Sequence, residues 1–170
     1  MVQFNGLLKW WLVQSTIALA FLYCYYLGLF HMLWDADVSK ISFFILTLYV
    51  GVSGLIGLIT SRAELAYTQH KKFIDVYIPI CWHAASEMTV LGLIGTVIGF
   101  ILLLGPTFAG LNLADAAATQ TILAKMAIGM STALTTTLVG LVCAILTRLQ
   151  LVNLDTIVDE HEQSEQTIKE

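Results

Sequence analysis

The sequence predicts an all-α polytopic membrane protein with four transmembrane helices and a C-terminal cytoplasmic helical extension. Two observations support this class. Of the 170 residues, 58% are hydrophobic and 12% are charged, whereas soluble domains are roughly one quarter charged. The apolar residues also fall into four runs, each long enough as a helix to cross a hydrocarbon core of about 30 Å. A chain of this length forms one membrane domain, residues 1–170.

Each predicted segment follows from its composition. The first apolar run is too long for a signal-peptide core, and no small-residue cleavage pattern follows it closely. Residues 61–87 are polar and then amphipathic, which predicts a short cytoplasmic elbow lying against the membrane. Residues 148–170 are acidic but keep apolar positions at helical spacing, which predicts a helix that projects into the cytosol. The four predicted spans cover residues 11–33, 41–59, 88–104 and 122–146.

The basic residues predict the orientation, because Lys and Arg near the ends of spans are held on the cytoplasmic face. Lys40 and Lys125 are the exceptions, since Lys40 falls in a short outer loop and Lys125 at the outer end of the fourth span. Four crossings place both termini on the same side, which is predicted to be cytoplasmic. The basic residues on that side are Lys9, Arg62, Lys71, Lys72 and Arg148.

Several classes of site are not predicted. Cys24, Cys81 and Cys143 are interpreted as reduced packing residues, because their number is odd and their spacing fits neither a disulfide framework nor a metal site. No nucleophile and base pair, phosphate-binding loop or metal cluster occurs at the required spacing. The chain is therefore predicted not to be an enzyme, and to need no metal or other cofactor.

The polar content of the third and fourth spans is glycine and threonine. On the third span Thr89, Gly92, Thr96 and Gly99 step by three or four residues, which places them on one face of a helix. Gly95 and Gly99 form a small-xxx-small pair, and such pairs let helix backbones approach closely in lipid.

The fourth span has a similar face. Gly129, Thr132, Thr136 and Gly140 share one stripe, and Thr137 lies on the adjoining one. Two interpretations stay open: the faces serve only to pack helices, or their hydroxyls line an ion path.

Ionisable residues are absent from the third span and from most of the fourth. Residues 88–104 and 127–146 contain no Asp, Glu, His, Lys or Arg, although proton relays in membranes are usually built from such side chains. If the protein conducts protons, another chain or ordered water must carry them. Glu87 and His83 precede the third span and are candidates for a cytoplasmic ion exit, although a carboxylate near a helix start also compensates the helix dipole.

Together these two spans resemble the MotA/TolQ/ExbB family of ion-channel and stator proteins. The run Gly-Leu-Ile-Gly-Thr-Val-Ile-Gly over residues 92–99 is similar to the family's Gly-Thr-Val-x-Gly helix. The fourth span is similar to the family's second small-residue helix. The matching positions there are Gly129, Ala133, Leu134, Thr137, Gly140, Leu141, Ala144 and Ile145.

The resemblance implies a subunit of the bacterial inner membrane that acts in an energy-transducing motor. It implies a pentamer around the transmembrane helices of two copies of a single-span partner similar to MotB, TolR or ExbD. That partner would supply a membrane aspartate, and Thr96 and Thr137 match the hydroxyls that face it. The transported ion is expected to be H⁺. Na⁺ is the alternative, because Thr136 beside Thr137 resembles the hydroxyl pair of sodium-driven stators.

The sequence also departs from the family pattern. Thr132 replaces the glutamate, and Leu146 the proline, of TolQ-like and ExbB-like proteins. The four spans look more like MotA, but residues 61–87 are much shorter than MotA's cytoplasmic domain. A compact member that drives periplasmic or envelope work is therefore expected, with a flagellar-type stator as the alternative within the class. The alternative outside the class is a non-conducting membrane scaffold or assembly factor.

Overall fold

The computed structural model describes residues 6–28, 31, 34, 37, 40–108 and 116–169. These residues form three long helices, α1 (Gly6–Tyr26), α2 (Ile41–Phe108) and α3 (Ala116–Lys169), and the described part of the chain contains no strand. The predicted all-α class is confirmed.

Helix α1 ends earlier than the predicted first span, residues 11–33. Gly28 has a φ of +72°, a left-handed conformation that is open to glycine at little steric cost. The Gly28 amide donates to the Tyr25 carbonyl at 3.0 Å, and the His31 amide donates to the Gly28 carbonyl at 3.0 Å. A glycine cap of this kind ends a helix whatever the hydropathy of the following residues. Residues 29–30 and 32–33 of the predicted span lie outside the described residues.

Helix α2 reverses direction, although every residue from Ile41 to Phe108 is helical. Its residues Tyr49 and Trp82 bond to Gln150 and Asp155 of α3, at 3.1 Å each. A straight helix would separate Tyr49 from Trp82 by about 50 Å, whereas their partners are only about 7.5 Å apart along α3. The helix therefore folds back between these two residues.

The reversal lies close to Tyr67. The Tyr67 hydroxyl donates to Glu162 at 3.1 Å, and Lys71 pairs with the same carboxylate at 2.9 Å. The Arg62 guanidinium also lies 4.5 Å from the centre of the Phe73 ring, although these residues are eleven apart in sequence. We call residues 41–63 the first arm of α2 and residues 69–108 the second arm. The predicted elbow, residues 61–87, is helical throughout and spans the reversal.

The two arms, α1 and α3 form four packed helical rods. Along α3 the first arm runs parallel and the second arm antiparallel, as the partners of Tyr49, Tyr67 and Trp82 show. Three segments are long and apolar enough to cross a membrane: Ile41–Ala63, Gln69–Leu102 and Ile122–Gln163. Helix α1 is a further helix beside them. The chain is a multi-pass membrane protein.

The rods are staggered along α3. Helix α1 and the first arm meet α3 near Gln150, which bonds to Gln14 at 3.2 Å and to Tyr49 at 3.1 Å. Thr137 is thirteen residues before Gln150, or about 20 Å along the helix. The fully buried side chains of the core lie in the part of the bundle where α1 and the first arm meet α3. They include Ile45, Ile56, Ile59, Ile74, Met88, Leu151 and Leu154.

Candidate ion-pathway site

Thr96 of the second arm and Thr137 of α3 form a hydroxyl pair across the helix interface. Their Oγ1 atoms are in direct contact. Thr96 also lies 3.1 Å from the carbonyl oxygen of Gly92 and 3.3 Å from that of Ala133. Thr137 reaches the same two carbonyls, at 3.2 Å and 3.5 Å. Two hydroxyls and two carbonyls from the two helices thus form one compact polar group.

Small residues bring the helices close enough for this contact. A Cβ added to Gly92 would lie 3.3 Å from the Cα of Gly140, and one added to Gly140 would lie 2.7 Å from the carbonyl oxygen of Met88. One added to Gly99 would lie 3.3 Å from the Cα of Ala133. These neighbours are backbone atoms that no rotamer change can move. The glycines on both sides of the threonine pair therefore set the distance between the helices.

The site provides oxygen ligands but no titratable group. Each threonine hydroxyl can donate its proton to a carbonyl or to the other hydroxyl. While it donates, its oxygen can still accept a hydrogen bond or coordinate an ion. A threonine hydroxyl does not ionise near neutral pH. Among the described residues, no three His, Cys, Asp or Glu side chains are grouped as a metal site would require. The group can solvate a charge but cannot generate one.

The side chains around the threonine pair are apolar, which strengthens the electrostatic effect of its oxygens. Large side chains beside the pair point away from the helix contact and are exposed, among them Val97, with 59% of its surface exposed, and Leu134, with 66%. In a bilayer such positions meet lipid or another chain rather than water. Because the local dielectric constant is low, a hydroxyl or carbonyl dipole acts more strongly on a nearby charge than it would in water.

Thr136 lies next to the pair but faces another neighbour. It is fully buried, and its methyl group packs against the α-carbon side of Gly95. Thr136 and Gly95 are thus part of the helix contact. The side chain of Thr132 lies outside the described residues, and Gly129 lies further along the same helix, α3.

Glu87 and His83, the predicted ion exit, are not brought to the pair. They form an exposed pair with each other, 3.4 Å apart and one helical turn apart on the second arm. Glu87 precedes Thr96 by nine residues, which places it on the opposite side of the helix and about 14 Å along the axis. Among the described residues, no hydrogen bond or ion pair joins Glu87 or His83 to Thr96 or Thr137.

The carbonyls of Gly92 and Ala133 are the functional groups that sequence reasoning missed. Backbone oxygens leave no signature in composition. A signal does exist, because Gly92 precedes Thr96 by four residues and Ala133 precedes Thr137 by four. A threonine hydroxyl commonly bonds to the carbonyl four residues back, and a small residue there leaves that carbonyl accessible to the facing helix.

The sequence was compared with models of known protein families, with curated proteins and with solved structures. The family model described as the MotA/TolQ/ExbB proton channel family matches residues 47–166, which include most of the first arm of α2, the whole second arm and nearly all of α3. No curated protein matches the chain, and no solved structure does. The family match covers well over half of the sequence and contains the whole threonine and glycine contact. The chain belongs to the MotA/TolQ/ExbB proton channel family.

Proposed function

We propose that this chain is the ion-conducting subunit of an energy-transducing motor in the bacterial inner membrane, with both termini in the cytoplasm. Proton flow would rotate a pentamer of this chain around a dimer of a single-span partner similar to MotB, TolR or ExbD. That rotation would drive envelope or periplasmic work. The subunit would carry no cofactor and catalyse no covalent reaction.

The observation that carries this proposal is the hydroxyl pair of Thr96 and Thr137. Two hydroxyls and two carbonyls converge in a helix contact whose flanking residues, 88–104 and 127–146, contain no ionisable side chain. Such a group is suited to solvate a proton-carrying acid presented by another chain. Family membership supports the same division of roles, in which the partner supplies a membrane aspartate.

The first test removes one hydroxyl and keeps the side-chain shape. Thr137→Val in the complex with the partner should reduce proton flux into liposomes by about tenfold or more, because a hydrogen bond to a charged group contributes roughly 1.5–3 kcal/mol. Thr137→Ser should restore flux. Thr135→Val is the matched control, since the Thr135 hydroxyl bonds at 2.7 Å to the Ser131 carbonyl of its own helix.

The same preparations test the assembly. The mass of the purified complex should equal five copies of this chain plus two of the partner, and Thr137→Val should leave that mass unchanged. Brisk proton flux through the isolated chain would overturn the proposal, because the acid would then not have to come from a partner.

A non-conducting scaffold is the competing function, and the glycine contact favours it as much as it favours a channel. Gly95→Leu should disrupt either kind of protein, since Thr136 packs directly against Gly95. Thr96→Ala separates them, because it removes a hydroxyl without adding bulk. A channel should lose its flux at normal assembly, whereas a scaffold should support growth and assembly like the wild type.

A further inference from the structure

Arg148 lies on the face of α3 that carries Thr137. The two residues are eleven apart in sequence, or three helical turns, so their side chains leave the helix in nearly the same direction, about 17 Å apart along the axis. The segment of α3 between them contains no charged residue, and Arg148 is exposed. Its guanidinium is therefore the first charge on this face between the threonine pair and the C-terminal end of α3.

No carboxylate of the described residues forms an ion pair with Arg148. The ion pairs found there are Lys71–Glu162 and His83–Glu87. The next charged residue along α3 is Asp155, two turns and about 10 Å further on. Its carboxylate accepts a hydrogen bond from the Trp82 indole at 3.1 Å. Within the subunit, the positive charge of Arg148 is thus not neutralised by a direct contact.

Arg148 also lies at the depth of an apolar part of the first arm. Gln150, two residues further along α3, bonds to Tyr49 at 3.1 Å. Tyr49 belongs to the apolar segment Ile41–Ala63 and lies about 12 Å from one of its ends and 21 Å from the other. Apolar surroundings screen a charge much less than water does. A charged side chain at such a depth is a candidate functional residue.

We propose that Arg148 is a specificity-determining residue of the ion pathway, whose positive charge excludes metal cations such as Na⁺ and K⁺. This inference rests on the proposed function. A cation that leaves the threonine pair along this face of α3 must pass the guanidinium, which repels it. A proton carried on a carboxyl group is not repelled, because the protonated carboxyl is neutral. Once the proton has left, the same charge favours the carboxylate that remains.

A basic residue at this position has a simpler explanation, which a test must separate from the proposal. Lys and Arg near the ends of spans hold those ends on the cytoplasmic face, and their long side chains reach toward the lipid headgroups. In that role Arg148 would fix the topology of the chain and have no effect on which ions pass. The permeability of the assembled complex to a metal cation therefore distinguishes the two roles.

The first test removes the charge. In the complex with the partner, reconstituted in potassium-loaded liposomes, Arg148→Gln should raise potassium efflux at least several-fold, whereas Arg148→Lys should keep it as low as in the wild type. Lys72→Gln is the matched control, because it removes a positive charge from an exposed position about 36 Å from Thr96 along the second arm. Equal efflux from Arg148→Gln and the wild type would overturn the proposal.

The second test restores the charge in a protein that is already assembled. Arg148→Cys places a thiol at an exposed position, where a methanethiosulfonate reagent that carries an ammonium group can attach. This reagent should lower potassium efflux, and a neutral methyl reagent of the same class should not. The wild type, which keeps Cys24, Cys81 and Cys143, gives the background. Equal effects of both reagents would show that bulk and not charge controls efflux, which contradicts the proposal.

Proton flux in the same liposomes separates this inference from the proposed function. If the complex passes protons and loses that flux in Thr137→Val, but Arg148→Gln leaves potassium efflux unchanged, the proposed function stands and the role of Arg148 is wrong. If the complex passes no protons at all, the proposed function fails and this inference fails with it.

Discussion

The threonine pair lies among backbone carbonyls of both helices. A threonine hydroxyl that donates to a carbonyl of its own helix keeps its oxygen lone pairs, which can still accept a hydrogen bond or coordinate an ion. Thr96 and Thr137 each lie between their own carbonyl four residues back and that of the facing helix. The spacing of small residues predicted which face of each helix carries the two threonines. It could not predict their mutual contact, because the register of two helices depends on packing along the whole interface.

Gly140 of α3 packs against the backbone of the second arm. A methyl group there would lie 2.7 Å from the Met88 carbonyl oxygen and 3.0 Å from the Gly92 Cα. Gly140→Ala should therefore force the second arm and α3 apart and reduce the free energy of unfolding by about 1–3 kcal/mol. Thermal unfolding in detergent measures this loss, and proton flux should fall with it because the threonine contact widens.

Gly54→Ala is the matched control for that prediction. Gly54 is helical and exposed, and a Cβ added there would have no neighbour within 4 Å. Alanine should raise stability by about 0.5–1 kcal/mol, since glycine costs that much in a helix interior. Equal effects of the two variants would show that helix propensity, and not contact with Met88, decides the outcome.

At the scale of the helices, periodicity and hydropathy predicted the class of each element, but they did not predict where helices end or turn. The end of α1 is set by the left-handed conformation of Gly28, which the apolar run across this residue concealed. The reversal of α2 is fixed by partners far away in sequence, since Tyr67 and Lys71 both contact Glu162. Local patterns contain no information on contacts of that kind.

The contact at the reversal leads to a prediction about pH. Burial, and then the hydrogen bond and the negative charge of Glu162, raise the pKa of Tyr67 to about 12. Because the folded value lies above the unfolded value of 10.0, the contribution of Tyr67 to stability is fully present below pH 10 and is lost as the pH rises through 12. Glu162→Gln should therefore lower the pKa of Tyr67.

Phenolate absorbance measures this shift, with Tyr67→Phe subtracted to isolate one tyrosine among six. The midpoint of the isolated signal should lie near 12 in the wild type and closer to 10 in Glu162→Gln. An unchanged midpoint would contradict the prediction, because it would mean that Glu162 does not contribute to the raised pKa of Tyr67.

At the scale of the whole molecule, the stagger of the helices leaves the surface beside the threonine pair without a covering helix from the described part of the chain. Helix α1 and the first arm cover α3 around Gln150, so the threonine pair lies where the second arm and α3 pack mainly on each other. Large apolar side chains there are exposed, including Val97 and Leu138. Lipid can cover part of this surface, but lipid offers no group that could exchange a proton with the hydroxyls. The arrangement therefore favours further chains around the site.

The final prediction concerns the ion that the assembled complex uses. The structure gathers the oxygens of Thr96, Thr137, Gly92 and Ala133 at the site, whereas the methyl group of the buried Thr136 packs against Gly95. A sodium ion usually requires more oxygen ligands than a proton carrier does, and we expect protons. Replacing all sodium by potassium should leave the driven process unchanged, whereas a protonophore should stop it. Thr136→Ala provides a further control, because it should reduce stability but not alter the response to sodium. If activity instead follows the sodium concentration and survives the protonophore, the ion is sodium. A direct role of Thr136 in binding sodium would then appear as a weaker response to sodium in Thr136→Ala.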